Sequence, residues 1–407
     1  MLKISLARLR RDLTALARFG SNPGGGVSRP AWSPAHEEAR AWLLAQMKEA
    51  GLETSVDPAG NTFGRHGDGA PLVLTGSHID SVPDGGTLDG ALGVLAALEC
   101  LRTIREAGLP VKRPLAVVAW SDEEGRYGSL FGSRAFTGKL DAAKIPEMRA
   151  SDGERLVDAM ARAGFNAREA PRAPADPGSV AAYVELHIEQ GPHLEAKGIP
   201  IGVVEGIVGI RRNRILFQGE PDHAGTTPMA RRKDAFLAAA EYALAAREHV
   251  VGRGSGRSVT NFGVVEVKPG VTNIVPSRAA LLQEMRELDG KILGRLDRKC
   301  ASLAKRIARR RGIRVAIERI SRNEPARMAP EVQRTIEAAA ATLKLRTLRM
   351  PSGAGHDAQN LATITKAGMI FIPSRGGRSH RPDESSDRRA IERGANVLLH
   401  TLLKLAS

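Results

Sequence analysis

LVLTGSHIDSVPDGGTLDGALGVLAALE, residues 72–99, is the stretch on which the fold turns. Its apolar opening, Leu72 to Leu74, reads as a buried strand. A polar loop carrying His78, Asp80 and Asp89 follows, and Asp89-Gly90 leads into an Ala/Leu/Val run from Ala91 to Glu99 that reads as a helix start. Strand, polar loop and helix in this order is where α/β folds place ligand sites, outside the carboxyl ends of parallel strands. An imidazole at 78 with carboxylates at 80 and 89 suits a metal ion: His78 offers nitrogen, Asp80 can orient the ring, and Asp89 can bridge. His-x-Asp also occurs in ordinary loops, so at this point the plain-loop reading stands beside the metal one.

The same pattern recurs twice. Pro114 to Trp120 (PLAVVAW) is a second buried strand, delivering Ser121-Asp122-Glu123-Glu124-Gly125 at its end. Ser179 to Leu186 (SVAAYVEL) is a third, ending on His187. Repetition of strand then site residue is more specific than any one motif. It predicts an α/β fold whose catalytic domain has a mixed, largely parallel sheet flanked by helices.

Further out, Leu2 to Phe19 and His36 to Ala50 show helical spacing, with a glycine- and proline-rich loop between them. Gly60-Asn61 reads as a turn between two short strands. From Gly209 the texture changes. Strands are expected at 211–219, 258–267, 278–286 and 314–320, with helices at 233–250 and 291–311. That order, β-α-β-β-α-β, is the ferredoxin-like split βαβ pattern. The predicted organisation is therefore a catalytic domain in two parts, 1–208 and 327–407, interrupted by an inserted unit at 209–326. After the linker PARMAP, helices are expected at 331–343 and 358–366, a strand at 369–372 and a final helix.

A chain of 407 residues is too long for one compact core. Its hydrophobic content of 42% fits a globular protein, and no apolar run approaches the roughly 20 residues of a membrane span. The amphipathic N-terminus reads as a first helix of the fold and not a secretory signal. Two distant cysteines, Cys100 and Cys300, support neither a disulfide framework nor a Cys-rich zinc site, which fits a cytoplasmic location. The formal charge of +15 raises nucleic-acid binding, with Lys305 to Arg311 (KRIARRR) the densest run. No nucleic-acid motif accompanies it and aromatics are only 4%, so no nucleic-acid or membrane partner is expected. Attraction of an anionic small substrate is the simpler use of such a field.

The 10 histidines sort unevenly. His36, His66, His249 and His400 read as surface or packing residues, and His193 as a local cap. His78, His187, His223, His356 and His380 lie in loops dense in Gly, Ser, Asp or Thr. Adjacent glutamates leaving a strand point in different directions, so one of Glu123 and Glu124 can ligate while its neighbour faces substrate. Two divalent ions sharing one aspartate would use this inventory; zinc, manganese and cobalt all accept imidazole and carboxylate. Such a pair activates water and polarises a carbonyl, and a free glutamate supplies the base.

These residues carry a resemblance. TGSHIDSVPDGGTLDGALGVLAALE, SDEEGRYGSLFGSRAFTG, ELHIEQGPHLE, HAGTTPM, VTNIVPS, SGAGHDAQNLA and IPSRGGRSH, in that order, resemble the hydantoinase/carbamoylase amidases, a branch of the aminoacylase and carboxypeptidase-type zinc peptidases. That family includes N-carbamoyl-L-amino-acid hydrolases, allantoate amidohydrolases and β-ureidopropionases. The resemblance implies a hydrolase of linear C–N amides acting on a ureido group, with N-carbamoyl-L-amino acids the expected substrates. An aminoacylase- or dipeptidase-like activity is the more distant rival. It also implies two divalent ions per subunit, zinc first, with manganese, cobalt or nickel as alternatives, and a homodimer formed through the inserted domain.

By position, the resemblance makes His78 and His187 ligands of one ion, Asp89 the bridge, and Glu124 and His380 ligands of the other. Glu123 matches the general base, and Asp80 the partner of His78. His223 is implied to reach across a dimer interface and steady the oxyanion. Gln190, Asn273 and Arg286 resemble substrate binders, with Arg286 gripping a carboxylate bidentately. Gly353 and Gly355 would bring backbone amides to the ureido group, and His356 resembles a pocket residue. There is one departure on the Arg286 strand: Glu284 stands where relatives often have Asp.

Overall fold

A computed structural model describes residues 1–176 and 178–407. The strands in chain order are β1 (Glu53–Val56), β2 (Thr62–His66), β3 (Leu72–His78), β4 (Leu115–Trp120), β5 (Val180–Ile188), β6 (Ile201–Ile207), β7 (Gly209–Gln218), β8 (Val259–Lys268), β9 (Arg278–Glu287), β10 (Arg314–Asn323), β11 (Ala326–Arg327), β12 (Thr347–Ser352) and β13 (Lys366–Ile372). The chain divides into two compact units, one of Met1–Glu205 with Arg327–Ser407 and one of Gly206–Ala326.

In the first unit a mixed sheet runs in the order β1-β2-β4-β3-β5-β13-β6-β11, with β12 also pairing β6. Its centre, β4-β3-β5-β13, is parallel, while β1, β2 and β6 join antiparallel. The central strands are almost entirely buried, as a parallel sheet covered on both faces requires. The helix Ala91–Glu106 lies under this sheet with Ala91 through Ile104 all buried, and the final helix Arg388–Leu405 buries Ile391, Val397, Leu398 and Leu402 in the same core.

Register places the site. Val73 pairs Leu115 and His78 pairs Trp120 along β3 and β4, so residues 121–124 continue from beside His78. Thr75 pairs Val184 across β3 and β5, which sets His78 and His187 level at the carboxyl ends of adjacent parallel strands.

The second unit is a four-stranded antiparallel sheet of order β10-β7-β9-β8, with the helices Ala235–Arg253 and Gly290–Arg310 following β7 and β9 in the chain. Ile215, Phe217, Leu281 and Met285 on the inner face cluster with Tyr242, Leu293, Leu296 and Ile307 of the two helices. KRIARRR lies at the end of the second helix, its apolar members buried and Lys305, Arg306, Arg309 and Arg310 exposed.

Three local expectations change. The helix expected over 358–366 is confined to Ala358–Leu361, and the chain has become β13 by Lys366. β-branched Thr363, Ile364 and Thr365 resist continued helix, and pairing of Lys366 with Ala182 offers a ladder instead. β6 was not foreseen, its two glycines weakening the strand signal. β12 was hidden by Pro351, which is tolerated because the strand lies off the main path of the sheet. Among the described residues no helix is long and apolar enough to cross a membrane.

Candidate metal centre

Five side chains from distant segments converge outside the carboxyl ends of the parallel strands. His187 Nε2 lies 3.0 Å and His78 Nε2 3.7 Å from Asp89 Oδ1. On the other oxygen, His380 Nε2 lies 3.1 Å from Asp89 Oδ2 and 3.5 Å from Glu124 Oε2. Asp89 thus divides its oxygens between two donor groups, His78–Asp89–His187 and Asp89–Glu124–His380, each with ligand atoms within 4.8 Å of one another. This mix of imidazole nitrogen and carboxylate oxygen suits zinc, manganese or cobalt.

The backbone aims the histidines. His78 Nδ1 faces the carbonyl of Asp80 at 3.0 Å, and His187 Nδ1 that of Ile188 at 2.9 Å, which turns each Nε2 toward Asp89. Here the structure corrects the expectation for Asp80. Its carboxylate stands 3.6 Å from His78 Nδ1, and it accepts instead from the Glu124 amide at 3.1 Å and more weakly from that of Glu123 at 3.4 Å. The main chain of Asp80 fixes the ring, while its side chain pins the Glu123-Glu124 corner. Glu123 Oε2 sits 3.5 Å from His78 Nε2 and is 8% exposed; with His78 and Glu124 it makes a further group of donors within 4.8 Å of one another.

Asp89 itself is held by Glu384 and Ser379, neither of which carried an expected role. Glu384 Oε1 accepts the backbone N–H groups of Leu88 and Asp89, both at 3.0 Å. Ser379 Oγ lies 3.0 Å from Asp89 Oδ2 and 2.7 Å from Glu384 Oε2. Glu384 is almost 300 residues from Asp89 and sits in an ordinary polar run, DESSD, so no local signal marked it. Gly90 is required by contact: its φ is +62°, and a Cβ there would lie 2.4 Å from His78 Nε2. Gln190 and His380 also take positive φ, +58° and +57°, conformations that only a well-determined surrounding maintains.

The expected substrate binders sort differently. Gln190 is at the centre, but its Nε2 donates to Asp89 Oδ2 at 2.8 Å. Gly353 and Gly355 are exposed in the loop after β12, and a Cβ at 353 would meet open space, so internal crowding is not what selects glycine. Next to them His356 is buried, its ring 4.5 Å from that of His187 and its Nε2 3.0 Å from Ser352 Oγ. His223, Asn273 and Arg286 belong to the second unit, the first two exposed and adjacent through the Ala224 N–H to Asn273 carbonyl bond of 3.0 Å. His223 Nδ1 accepts the N–H groups of Gly225 and Thr226 at 3.0 and 3.1 Å, so in the neutral ring the proton resides on Nε2.

Electrostatics bind the cluster together. Burial alone would lower His78, but Glu123, Asp89, Asp80 and Glu124 outweigh it and hold the imidazole well above its ordinary range. His380 is raised to about 9, chiefly by its bond to Asp89. Asp89 falls well below the usual carboxylate range, because bonds from His187, His380 and His78 overcome its burial. Burial, then Asp89, push Glu124 up to about 7, and burial raises Glu123 strongly. Carboxylates this crowded ionise together only beside positive charge, which a divalent cation supplies.

The chain matches the model of peptidase family M20/M25/M40 over residues 74–404. It is 39% identical over 405 residues to an N-carbamoyl-L-amino acid amidohydrolase of Geobacillus stearothermophilus, covering 98% of each chain. It is 37% identical over 406 residues to the allantoate amidohydrolase of Escherichia coli K12, covering 98% of this chain and 97% of that one. Among solved structures it resembles a hydantoinase/carbamoylase family amidase from Burkholderia multivorans, with a TM-score of 0.91 at 35% identity over 100% of this chain and 98% of the other. Full-length similarity and a matching fold lead to one conclusion: the chain belongs to the M20/M25/M40 peptidase family, alongside its hydantoinase/carbamoylase-type amidases.

Proposed function

We propose that this protein hydrolyses the linear C–N amide of a ureido group, converting an N-carbamoyl-L-amino acid to L-amino acid, carbon dioxide and ammonia. The observation that carries this reading is Asp89, with one oxygen facing His78 and His187 and the other facing His380 and Glu124, and Glu123 alongside. His78, Asp89, Glu124, His187 and His380 would hold two divalent ions, zinc first among the candidates. Bound there, the ions supply Lewis acidity and lower the pKa of water.

The remaining work belongs to the chain. Glu123 accepts the proton of the attacking water and returns it to the leaving nitrogen; its buried carboxyl is a stronger base than an exposed one. Asp80 holds the Glu123 main chain in place. His223, with its proton on Nε2, donates to the developing oxyanion. Arg286 grips the substrate carboxylate, and Gln190, Asn273 and the amides at Gly353 and Gly355 bind the rest. Residues 209–326 form a ferredoxin-like lid and dimerisation element between the two catalytic parts, 1–208 and 327–407. His223 of one subunit serves the site of the other in a cytoplasmic homodimer. Support for the ferredoxin-like topology of this element comes from the strand order β10-β7-β9-β8 with its two intervening helices.

Ammonia release from N-carbamoyl-L-amino acids and allantoate, and amino-acid release from N-acetyl amino acids, decide the matter when each is measured with zinc, manganese or cobalt. Turnover of carbamoyl amino acids is expected. Turnover of allantoate alone would move the protein to the second reading, which the 37% identity to an allantoate amidohydrolase favours. Hydrolysis of only N-acetyl compounds would overturn both.

A further inference from the structure

On the sheet of the second unit, Arg212 of β7 stands opposite Glu284 of β9, and Arg286 follows two residues along β9. Alternation along a strand therefore sends all three side chains from one face. Arg212 Nε donates to Glu284 Oε2 at 2.6 Å, and Arg286 Nε donates to Glu284 Oε1 at 2.7 Å. Each carboxylate oxygen holds one guanidinium. Burial would raise the Glu284 carboxyl, but the bonds from Arg286 and Arg212 outweigh it and keep it below the usual range.

This arrangement contributes little as a stabilising ion pair. The side chains of Arg212, Glu284 and Arg286 are 46%, 24% and 31% exposed, and ion pairs in such solvent-screened settings contribute little to stability. Its consequence is orientation. A long arginine side chain loses much rotamer freedom when it is fixed on a ligand, and a guanidinium tethered through Nε has the plane of its fork already set.

We propose that Glu284, anchored across the sheet by Arg212, is a positioning residue that presets Arg286 for a substrate carboxylate and so selects carboxylate-bearing ureido compounds over neutral ones. This rests on Arg286 as the carboxylate binder. The experiment compares KM and kcat of the full-length, metal-loaded enzyme for an N-carbamoyl-L-amino acid and for its neutral carboxamide. The variants are R286M, E284Q, E284D and R212M, each checked for an unchanged thermal unfolding midpoint.

E284Q is expected to raise KM for the acid about tenfold, equivalent to ~1.4 kcal/mol, with kcat little changed. E284D, which withdraws the carboxylate by one methylene, and R212M shift it in the same direction by less. KM for the carboxamide stays within about twofold throughout. If R286M raises KM for the acid while E284Q, E284D and R212M do not, the positioning role is overturned and the carboxylate clamp survives. If R286M itself leaves KM unchanged, both fail.

Discussion

Glu123 and Glu124 are neighbours in sequence with different surroundings. Glu124 faces His380 at 3.5 Å and Glu123 faces His78 at the same distance, yet only Glu124 shares a donor group with Asp89. Glu123→Gln is expected to lower kcat by about 10²–10⁴-fold, the usual reach of general base catalysis, with metal content by elemental analysis unchanged. Asp89→Ala, which removes the carboxylate common to both groups, is expected to reduce bound metal by at least one equivalent in the same measurement.

Asp57 offers a pH test away from the metal donors. It accepts from Ala59 N and Asn61 N, both at 2.9 Å, and from Asn61 Nδ2 at 2.7 Å, yet burial still pushes it up to about 6. A carboxyl raised on folding contributes stability below its unfolded pKa of roughly 4 and loses it as pH rises through about 6. The unfolding midpoint of the wild type is therefore expected to fall relative to Asp57→Asn between pH 4 and 7. Parallel curves would remove the assignment.

At the scale of elements, strand ends and one helix start set the site. β3 and β5 deliver His78 and His187 at equal height, β4 delivers the glutamate pair, and Asp89-Gly90 open the helix Ala91–Glu106. The strands and the residues at their ends were legible in the sequence, since buried parallel strands read as apolar runs and a functional loop begins where the run stops; the register that levels His78 with His187 was not. The anchoring of the 88–89 turn was not. Glu384→Ala strips the acceptor from two buried N–H groups and is expected to cost about 1–3 kcal/mol in denaturant unfolding. It should also weaken metal binding about 10–100-fold, as loss of a supporting contact does. Binding by competition with a chromogenic chelator measures the second effect, and wild-type affinity would show that the turn holds without Glu384.

For the whole molecule, the buried carboxylates and imidazoles tie stability to the cation. Prolonged chelation is expected to lower the unfolding midpoint, and added zinc, manganese or cobalt to restore it in a concentration-dependent way. A midpoint indifferent to metal would count against the centre. The charge of +15 acts at this scale too. If it draws in an anionic substrate, kcat/KM for an N-carbamoyl amino acid falls as salt rises, while that for its neutral carboxamide stays nearly level.

Sequence by itself determined the local chemistry: which residues donate nitrogen or oxygen, which strands deliver them, and the β-α-β-β-α-β order from 209 onward. Each is written in residue type and short-range period. Tertiary structure decided what no local pattern encodes. It turned the Asp80 carbonyl, not its carboxylate, toward His78, set Gln190 on Asp89, and brought Glu384 beneath Asp89. Backbone donors and acceptors are the same at every residue, so their partners are chosen only when distant segments meet.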